Sequence, residues 1–198
     1  MYQPFSSQDA VMLLIDHQVG TMSWVGSIPF EDMKRNALML AKSAAALGIP
    51  TVLTSSMEEH AQGPLLAELG QILPKAFANR VKRAGIVNAM ADPNFATAVK
   101  AAAGDRKRII IAGVTNDVCT VYPTLTLLEM GYEVQVVADA GGSPSAIGDE
   151  LSLRRIAAAG ATVVGTNQLI AELAQDWSSA DGQKLLAVVA EALQGEKS

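Results

Sequence analysis

Apolar residues fall along this chain in two recurring patterns, short unbroken runs and longer stretches at helical spacing. Residues 10–15 are apolar throughout and end on Asp16 and a polar, Gly-containing loop. A run without polar alternation suits a strand covered on both faces, so it predicts the first strand. Over residues 30–47, Met33, Ala37, Leu40, Ala41 and Ala44 recur along one helix face, Glu31 and Asp32 occupy the first turn, and Gly48 follows the end. Acid at the start and Gly at the stop predict a helix there. A second strand is expected over 50–54 and a short helix over 63–69. Residues 77–81 predict a third strand, although Asn79 and Arg80 interrupt it. Asp92 as cap and Pro93 at the first helical position open a helix that runs to residue 103. Residues 108–113 form another buried run. A helix over 118–130 closes at Gly131, a fifth strand spans 133–138, a helix spans 145–159 with Gly160 as its stop, and a sixth strand spans 161–164. The remainder from Asn167 predicts terminal helices.

Strands alternating with helices imply parallel pairing through right-handed crossovers, hence an α/β fold with helices on both faces of a six-stranded, mostly parallel sheet. The common order for six such strands is 3-2-1-4-5-6. No internal repeat or Pro-rich linker divides the chain, so residues 1–198 are expected to form one domain. A hydrophobic content of 49% against 18% charged residues supplies material for one core. The net charge of -5, with no Lys/Arg cluster interleaved with aromatics, argues against nucleic acid as a partner. Residues 1–10 lack a basic, apolar leader, and no apolar run approaches the roughly 18 residues of a membrane span, so a cytoplasmic protein with no membrane partner is expected. The single cysteine, Cys119, suits a reducing compartment.

In a doubly wound sheet the ligand crevice opens at the carboxyl ends of the strands where the order reverses, here between strands one and four. Asp16 leaves the first of these strands, and Gly113-Val114-Thr115-Asn116-Asp117-Val118-Cys119 leads the fourth into its helix. A thiol near a helix N-terminus is expected to lean toward thiolate, and a carboxylate beside it could take its proton while the sulfur attacks a carbonyl. Backbone amides around Thr115 and Cys119 would be donors to the oxyanion. A lone Cys is ordinarily a small buried hydrophobe and a strand-end Asp a loop residue; their joint placement makes the chemistry worth pursuing.

The run Leu14-Ile15-Asp16-His17-Gln18, the Gly113 to Cys119 turn, and Gly131-Tyr132-Glu133-Val134 leading to Val137-Ala138-Asp139-Ala140 together resemble the isochorismatase-like cysteine hydrolases, in the YcaC-related branch. The resemblance implies a Rossmann-like three-layer sheet, a triad of Asp, a basic residue and Cys, a cis peptide before the nucleophile turn, and assembly into homo-oligomers. Carried onto this chain it implies Asp16 as base, Cys119 as nucleophile, and a cis bond between Val114 and Thr115. For the basic residue, counting back from Asn88 and Ala89 leads to Arg83, with Lys82 as the adjacent alternative. Arg would act electrostatically, since it does not readily exchange a proton.

A neighbouring branch, the nicotinamidases, holds zinc with an Asp and two His. This chain has only His17 and His60, and the stretch 55–60 lacks a second imidazole, so neither catalytic metal nor cofactor is expected. Glu58, Glu59 and His60 read as a solvated loop face. His17 points away from Asp16, as neighbours leaving a strand do, and reads as structural. No Arg follows Cys119 closely enough for a phosphatase loop, and no G-x-G-x-x-G follows the first strand. Trp24, Phe77, Asn88, Phe95, Thr115 and Tyr122 lie in or beside loops at the relevant strand ends and are candidate pocket residues.

The expected activity is metal-independent hydrolysis of a small amide or related carbonyl substrate by a Cys119–Asp16–basic residue triad. Two alternatives stay open: vinyl ether hydrolysis of the isochorismatase type, in which the thiol is not the nucleophile, and a non-catalytic ligand-binding or redox protein bearing a sensor thiol.

Overall fold

Six strands, β1 (Ala10–Ile15), β2 (Thr51–Ser56), β3 (Val81–Arg83), β4 (Arg108–Gly113), β5 (Glu133–Val137) and β6 (Thr162–Val164), pair in the order β3-β2-β1-β4-β5-β6, every pair parallel. The computed structural model describes residues 3–195. The helices are α1 (Val19–Ser23), α2 (Phe30–Leu47), α3 (Ala67–Ile72), α4 (Pro74–Ala78), α5 (Pro93–Ala103), α6 (Val121–Glu129), α7 (Ala146–Ala158), α8 (Thr166–Ala174) and α9 (Ala180–Gly195). This is the Rossmann-like arrangement that the hydrophobic runs and the resemblance foretold.

Side chains alternate across a strand, so a run apolar at every position feeds two cores at once. In β1, Met12 and Leu14 join one core with Met33 and Leu40 of α2, Leu169 of α8 and Leu185 of α9. Val11, Leu13 and Ile15 join the other, with Phe95 and Val99 of α5, Leu127 of α6 and Ile156 of α7. All six residues of β1 are buried. Each large aliphatic among them contributes about 1.5–3 kcal/mol by leaving water, so a polar residue on either face of β1 would open one core or the other. Among the described residues no helix is long and apolar enough to cross a membrane.

The helix ends follow their local signals. Gly48 stands in the left-handed region at φ +67° and closes α2, with the Ile49 amide reaching back to the Ala44 carbonyl at 2.9 Å. Asp92 accepts from the amides of Asn94 and Phe95 and starts α5.

Three expectations need correction. The short helix expected over 63–69 is α3, Ala67–Ile72, because the chain before it is extended and Leu65 bridges to Gln18. The third strand is Val81–Arg83 rather than 77–81, and Phe77 lies on α4. Pro74 occupies the first helical position, and Leu69, Leu73 and Phe77 recur every fourth residue on one side; that helical periodicity wins over the aromatic and β-branched residues that suggested a strand. The helix expected over 118–130 is two pieces. Asn116–Thr120 forms a wide π-helical turn, with the Thr120 amide bonded to the Thr115 carbonyl, and regular α6 begins at Val121.

Candidate active site

Register sets the stage. Ile15 at the end of β1 pairs with Thr54 on one side and Gly113 on the other, so Asp16 and Val114 leave the sheet at adjacent tips. β3 contributes three residues, the last being Arg83, in register with Ser56. Asp16 takes a left-handed backbone at φ 57°, with its amide held by the Thr54 carbonyl at 2.9 Å. A non-Gly residue in that region is uncommon, and Asp tolerates it better than most. The turn aims its carboxylate at the guanidinium of Arg83, whose Nη2 donates to both carboxylate oxygens.

Each nitrogen of the Arg83 guanidinium has an acceptor. Its Nε donates to Thr54 Oγ1 at 3.0 Å and its Nη1 to the Ile86 carbonyl at 2.7 Å. The two paired side chains are only 1% and 3% exposed. Lys82, the alternative basic residue, points the other way: its side chain is 55% exposed and reaches Glu58 at 2.8 Å.

Cys119 comes from the wide turn after β4. The Val114–Thr115 peptide ahead of it is cis. The turn is pinned from beneath. Thr120 Oγ1 donates to the Gly113 carbonyl at 3.0 Å, the Asn116 amide to the Gly142 carbonyl at 2.7 Å, and Asn116 Nδ2 to Ala138 and Asp149. Gly141 fits here because a Cβ would lie 2.3 Å from the Gly113 carbonyl oxygen. With the turn so fixed, the Cys119 thiol stands beside the Asp16 carboxylate in one cavity, close enough for each to shift the other's titration.

The electrostatics differ from the thiolate expectation. Burial pushes the Cys119 thiol well above its ordinary value, and the adjacent Asp16 charge and hydrogen bond push it further; a backbone hydrogen bond from Thr115 and the more distant Arg83 charge oppose this weakly. Burial also raises Asp16, against the charge and hydrogen bonds of Arg83 and the bond from Cys119. Desolvation and a neighbouring carboxylate outweigh any helix dipole at a thiol that sits inside a turn instead of at its first amides. At rest the proton is on sulfur and shared toward the carboxylate.

These groups line a cavity of about 300 Å³ together with Thr115 and Trp24. Larger depressions between α2 and α9 and around the amino end of β2 gather no nucleophile. The remaining pocket candidates lie elsewhere. Phe95 is wholly buried in the core beneath α5. Phe77 packs on the opposite layer, with the Arg80 guanidinium 4.6 Å from its ring. Asn88 caps the Met90 amide and donates to Thr126 Oγ1 at 2.9 Å. Tyr122 faces outward under Arg155. Proximity to a loop in sequence does not set side-chain direction, and each of these four is turned by its own element. Missed at the sequence level were Gln18, Ile86, Val87 and Asp117. Ile86 and Val87 carried a usable signal, as apolar residues in the loop leaving β3.

Neither histidine faces the sulfur. His17 is buried, with its Nε2 2.8 Å from the Ala140 carbonyl, and burial lowers it to about 4. His60 is exposed. Among the described residues no group of three or more His, Cys, Asp or Glu side chains could hold a metal ion. Glu58 departs from the solvated face expected of it. Its side chain is 7% exposed and accepts from Ser55, Arg80 and Lys82, which hold its carboxyl down at about 2.

Comparison with known proteins places this geometry in context. The isochorismatase domain family matches residues 10–168. The chain is 37% identical over 176 residues, 89% of its length and 83% of the relative's, to the protein named probable hydrolase YcaC of Escherichia coli. The crystal structure of Escherichia coli YcaC, described as an octameric hydrolase, superposes with a TM-score of 0.89 at 34% identity, covering 100% of this chain and 96% of that one. YcaC from Pseudomonas aeruginosa, solved with hexane-2,5-diol and covalent acrylamide, superposes with a TM-score of 0.87 at 35% identity, covering 100% and 99%.

Proposed function

Since the chain belongs to the isochorismatase family, whose YcaC relatives are named hydrolases, we propose that it hydrolyses small amides or related carbonyl compounds through a Cys119–Asp16–Arg83 triad, without a metal. The observation that carries this reading is the thiol of Cys119 and the Arg83-held carboxylate of Asp16 lining one cavity.

The chemistry follows from a protonated resting thiol. As Cys119 Sγ attacks the carbonyl carbon, its proton passes to Asp16, so sulfur need not be a thiolate beforehand. The amides of Val118 and Thr120 already serve the Thr115 carbonyl, which leaves the Cys119 amide as the oxyanion donor we assign. Collapse expels the amine, which takes the proton from Asp16. Water then gives a proton to Asp16 and its oxygen to the thioester carbon; the acid departs and the proton returns to sulfur. Arg83 stays charged throughout and steadies the anion at residue 16.

Incubating the protein with a panel of small amides, and following ammonia release with the intact mass of the protein, tests this. Turnover with a transient acyl adduct on Cys119, absent in Cys119→Ala, is expected; undiminished release by Cys119→Ala would sink the triad. By analogy with the octameric relative the chain assembles as a homo-oligomer, which light scattering checks.

A further inference from the structure

The cavity around Cys119 changes in character from floor to mouth. Among the described residues, Asp16, Arg83 and Asp117 are the charged side chains of its lining. Asp16 and Arg83 hold each other at the floor, and the other Arg83 nitrogens serve Thr54 Oγ1 and the Ile86 carbonyl. Asp117 Oδ1 is buried, and Oδ2 lies toward the first turn of α7, where a Cβ on Gly148 would stand 3.5 Å away. Gln18 is committed to the backbone of Ser56 and Gly63. The charged and amide groups of the lining are thus engaged within the protein.

The mouth is apolar. Trp24, Ile86, Val87 and Val118 line the same cavity and are between 38% and 57% exposed. They come from three segments far apart in sequence: the end of α1, the loop leaving β3 and the wide turn that carries the nucleophile. A single exposed apolar side chain is ordinary, but several gathered around one opening mark a place where apolar matter is bound. Their backbone is held in place. The Ile86 carbonyl accepts from Arg83 Nη1 at 2.7 Å, and the Trp24 amide donates to the Thr21 carbonyl at 3.1 Å. Met57 adds a flexible thioether to the wall, and Gly85, at φ +104°, leaves room for it, since a Cβ there would stand 3.0 Å from the Met57 sulfur. An apolar chain laid across this rim gains in proportion to the area taken out of water. A charged end would lose hydration there and find no partner to replace it.

Resting on the amidase reading above, we infer that Trp24, Ile86, Val87 and Val118 form the subsite for the tail of the substrate, so that the chain takes small amides with an uncharged, apolar tail and discriminates against tails that end in carboxylate or ammonium. These four residues touch the tail while Cys119 meets the carbonyl. They set specificity and take no part in bond making.

Protection of the sulfur tests this without requiring hydrolysis, because an amide seated in the cavity shields Cys119 whether or not it is cleaved. Iodoacetamide alkylates the thiol: the sulfur–carbon bond forms as the carbon–iodine bond breaks, iodide leaves and the thiol proton passes to solvent. The rate is followed by intact mass on the full, assembled protein with acetamide, butanamide or hexanamide present, and with hexanamide chains that end in carboxylate or in ammonium. The half-protecting concentration is expected to fall about two- to fourfold for each methylene, and about tenfold or more from acetamide to hexanamide. Each charged chain should need about tenfold or more the concentration of hexanamide. Val87→Ser, at an exposed loop position, and Trp24→Ala should each shrink the hexanamide advantage over acetamide about threefold or more. Equal protection at all chain lengths, as a second copy of the chain seated on the rim would give, overturns the inference on the unaltered protein alone. So does a charged chain that protects as well as hexanamide, or an advantage unmoved in both folded variants. If long amides protect but none releases ammonia, the apolar subsite stands and the amidase reading falls; if amides are hydrolysed with no preference for the longer chains, the reverse holds.

Discussion

Lys82 and Arg83 are neighbours on β3 with the same charge, yet they reach two carboxylates on opposite faces of the sheet. Arg83 turns inward to Asp16, and both side chains are almost wholly buried. Lys82 turns outward and shares Glu58 with Arg80, its own side chain more than half exposed. Residue type is nearly constant between the two; strand alternation decides which cation loses its water. In the outer cluster Lys82 keeps solvent as an alternative partner, so its contact with Glu58 is worth little. In the inner pair water is excluded and neither group has another opposite charge, so removing one leaves a buried charge uncompensated.

The contrast can be broken first at the chemistry. Under the triad proposed above, Asp16→Asn is expected to lower kcat for amide hydrolysis by about 10²–10⁴-fold, the usual contribution of a positioned general base. Glu58→Gln, the matching change outside, should leave kcat within about twofold, because Glu58 does not line the cavity that holds Asp16 and Cys119. Steady-state ammonia release measures both, and equal losses would erase the distinction. Stability comes next. Arg83→Met should cost about 3–5 kcal/mol in urea unfolding, against less than about 1 kcal/mol for Lys82→Ala. Comparable midpoints for the two variants would mean that the inner pair is not the buried anchor described.

Acid separates the regions by pH window. His17 adjoins Asp16 and has a folded value of about 4, below its ordinary 6.5. The unfolded chain therefore binds the proton more readily, and the His17 contribution is complete above pH 6.5 and lost as pH falls toward 4. The 2.5-unit gap corresponds to about 3 kcal/mol. Asp16, raised by burial, acts in the opposite sense, so the measurement is the difference between the pH–stability slopes of the unaltered protein and His17→Gln; identical slopes refute it. Glu58 is silent in that window. Its folded value of about 2 lies below 4.5, so its contribution is present above pH 4.5 and lost between 4.5 and 2, and Glu58→Gln should abolish that late loss.

The elements visible in the sequence were those whose own residues dictate them. β1 and β4 read as buried strands because every position is apolar, and α2 and α5 because cap, face and stop coincide. β3 was misplaced because three residues hold no periodicity, and its strand character comes from pairing with β2. Asp16 and Cys119 were singled out by topology, which brings two chosen strand tips together, and Arg83 by resemblance, since Lys82 beside it has the same local pattern. What escaped was direction. Phe77, Asn88, Phe95 and Tyr122 sit near the right strand ends but are turned by helices and caps that no loop count reveals. The wide turn at Asn116–Thr120 escaped for a further reason: its bonds to Gly142, Ala138 and Asp149 come from segments far along the chain.

That turn carries one residue more than an α-helical turn would. Loss of a single residue there would let the segment relax into ordinary α geometry, and each residue of an α-helix advances the azimuth by about 100°. The sulfur would swing away from the acid while α6 kept its own packing. A deletion in this stretch is thus a particular hazard: the phase of the helix, more than the identity of its side chains, keeps the Cys119 thiol and the Asp16 carboxylate in one another's reach.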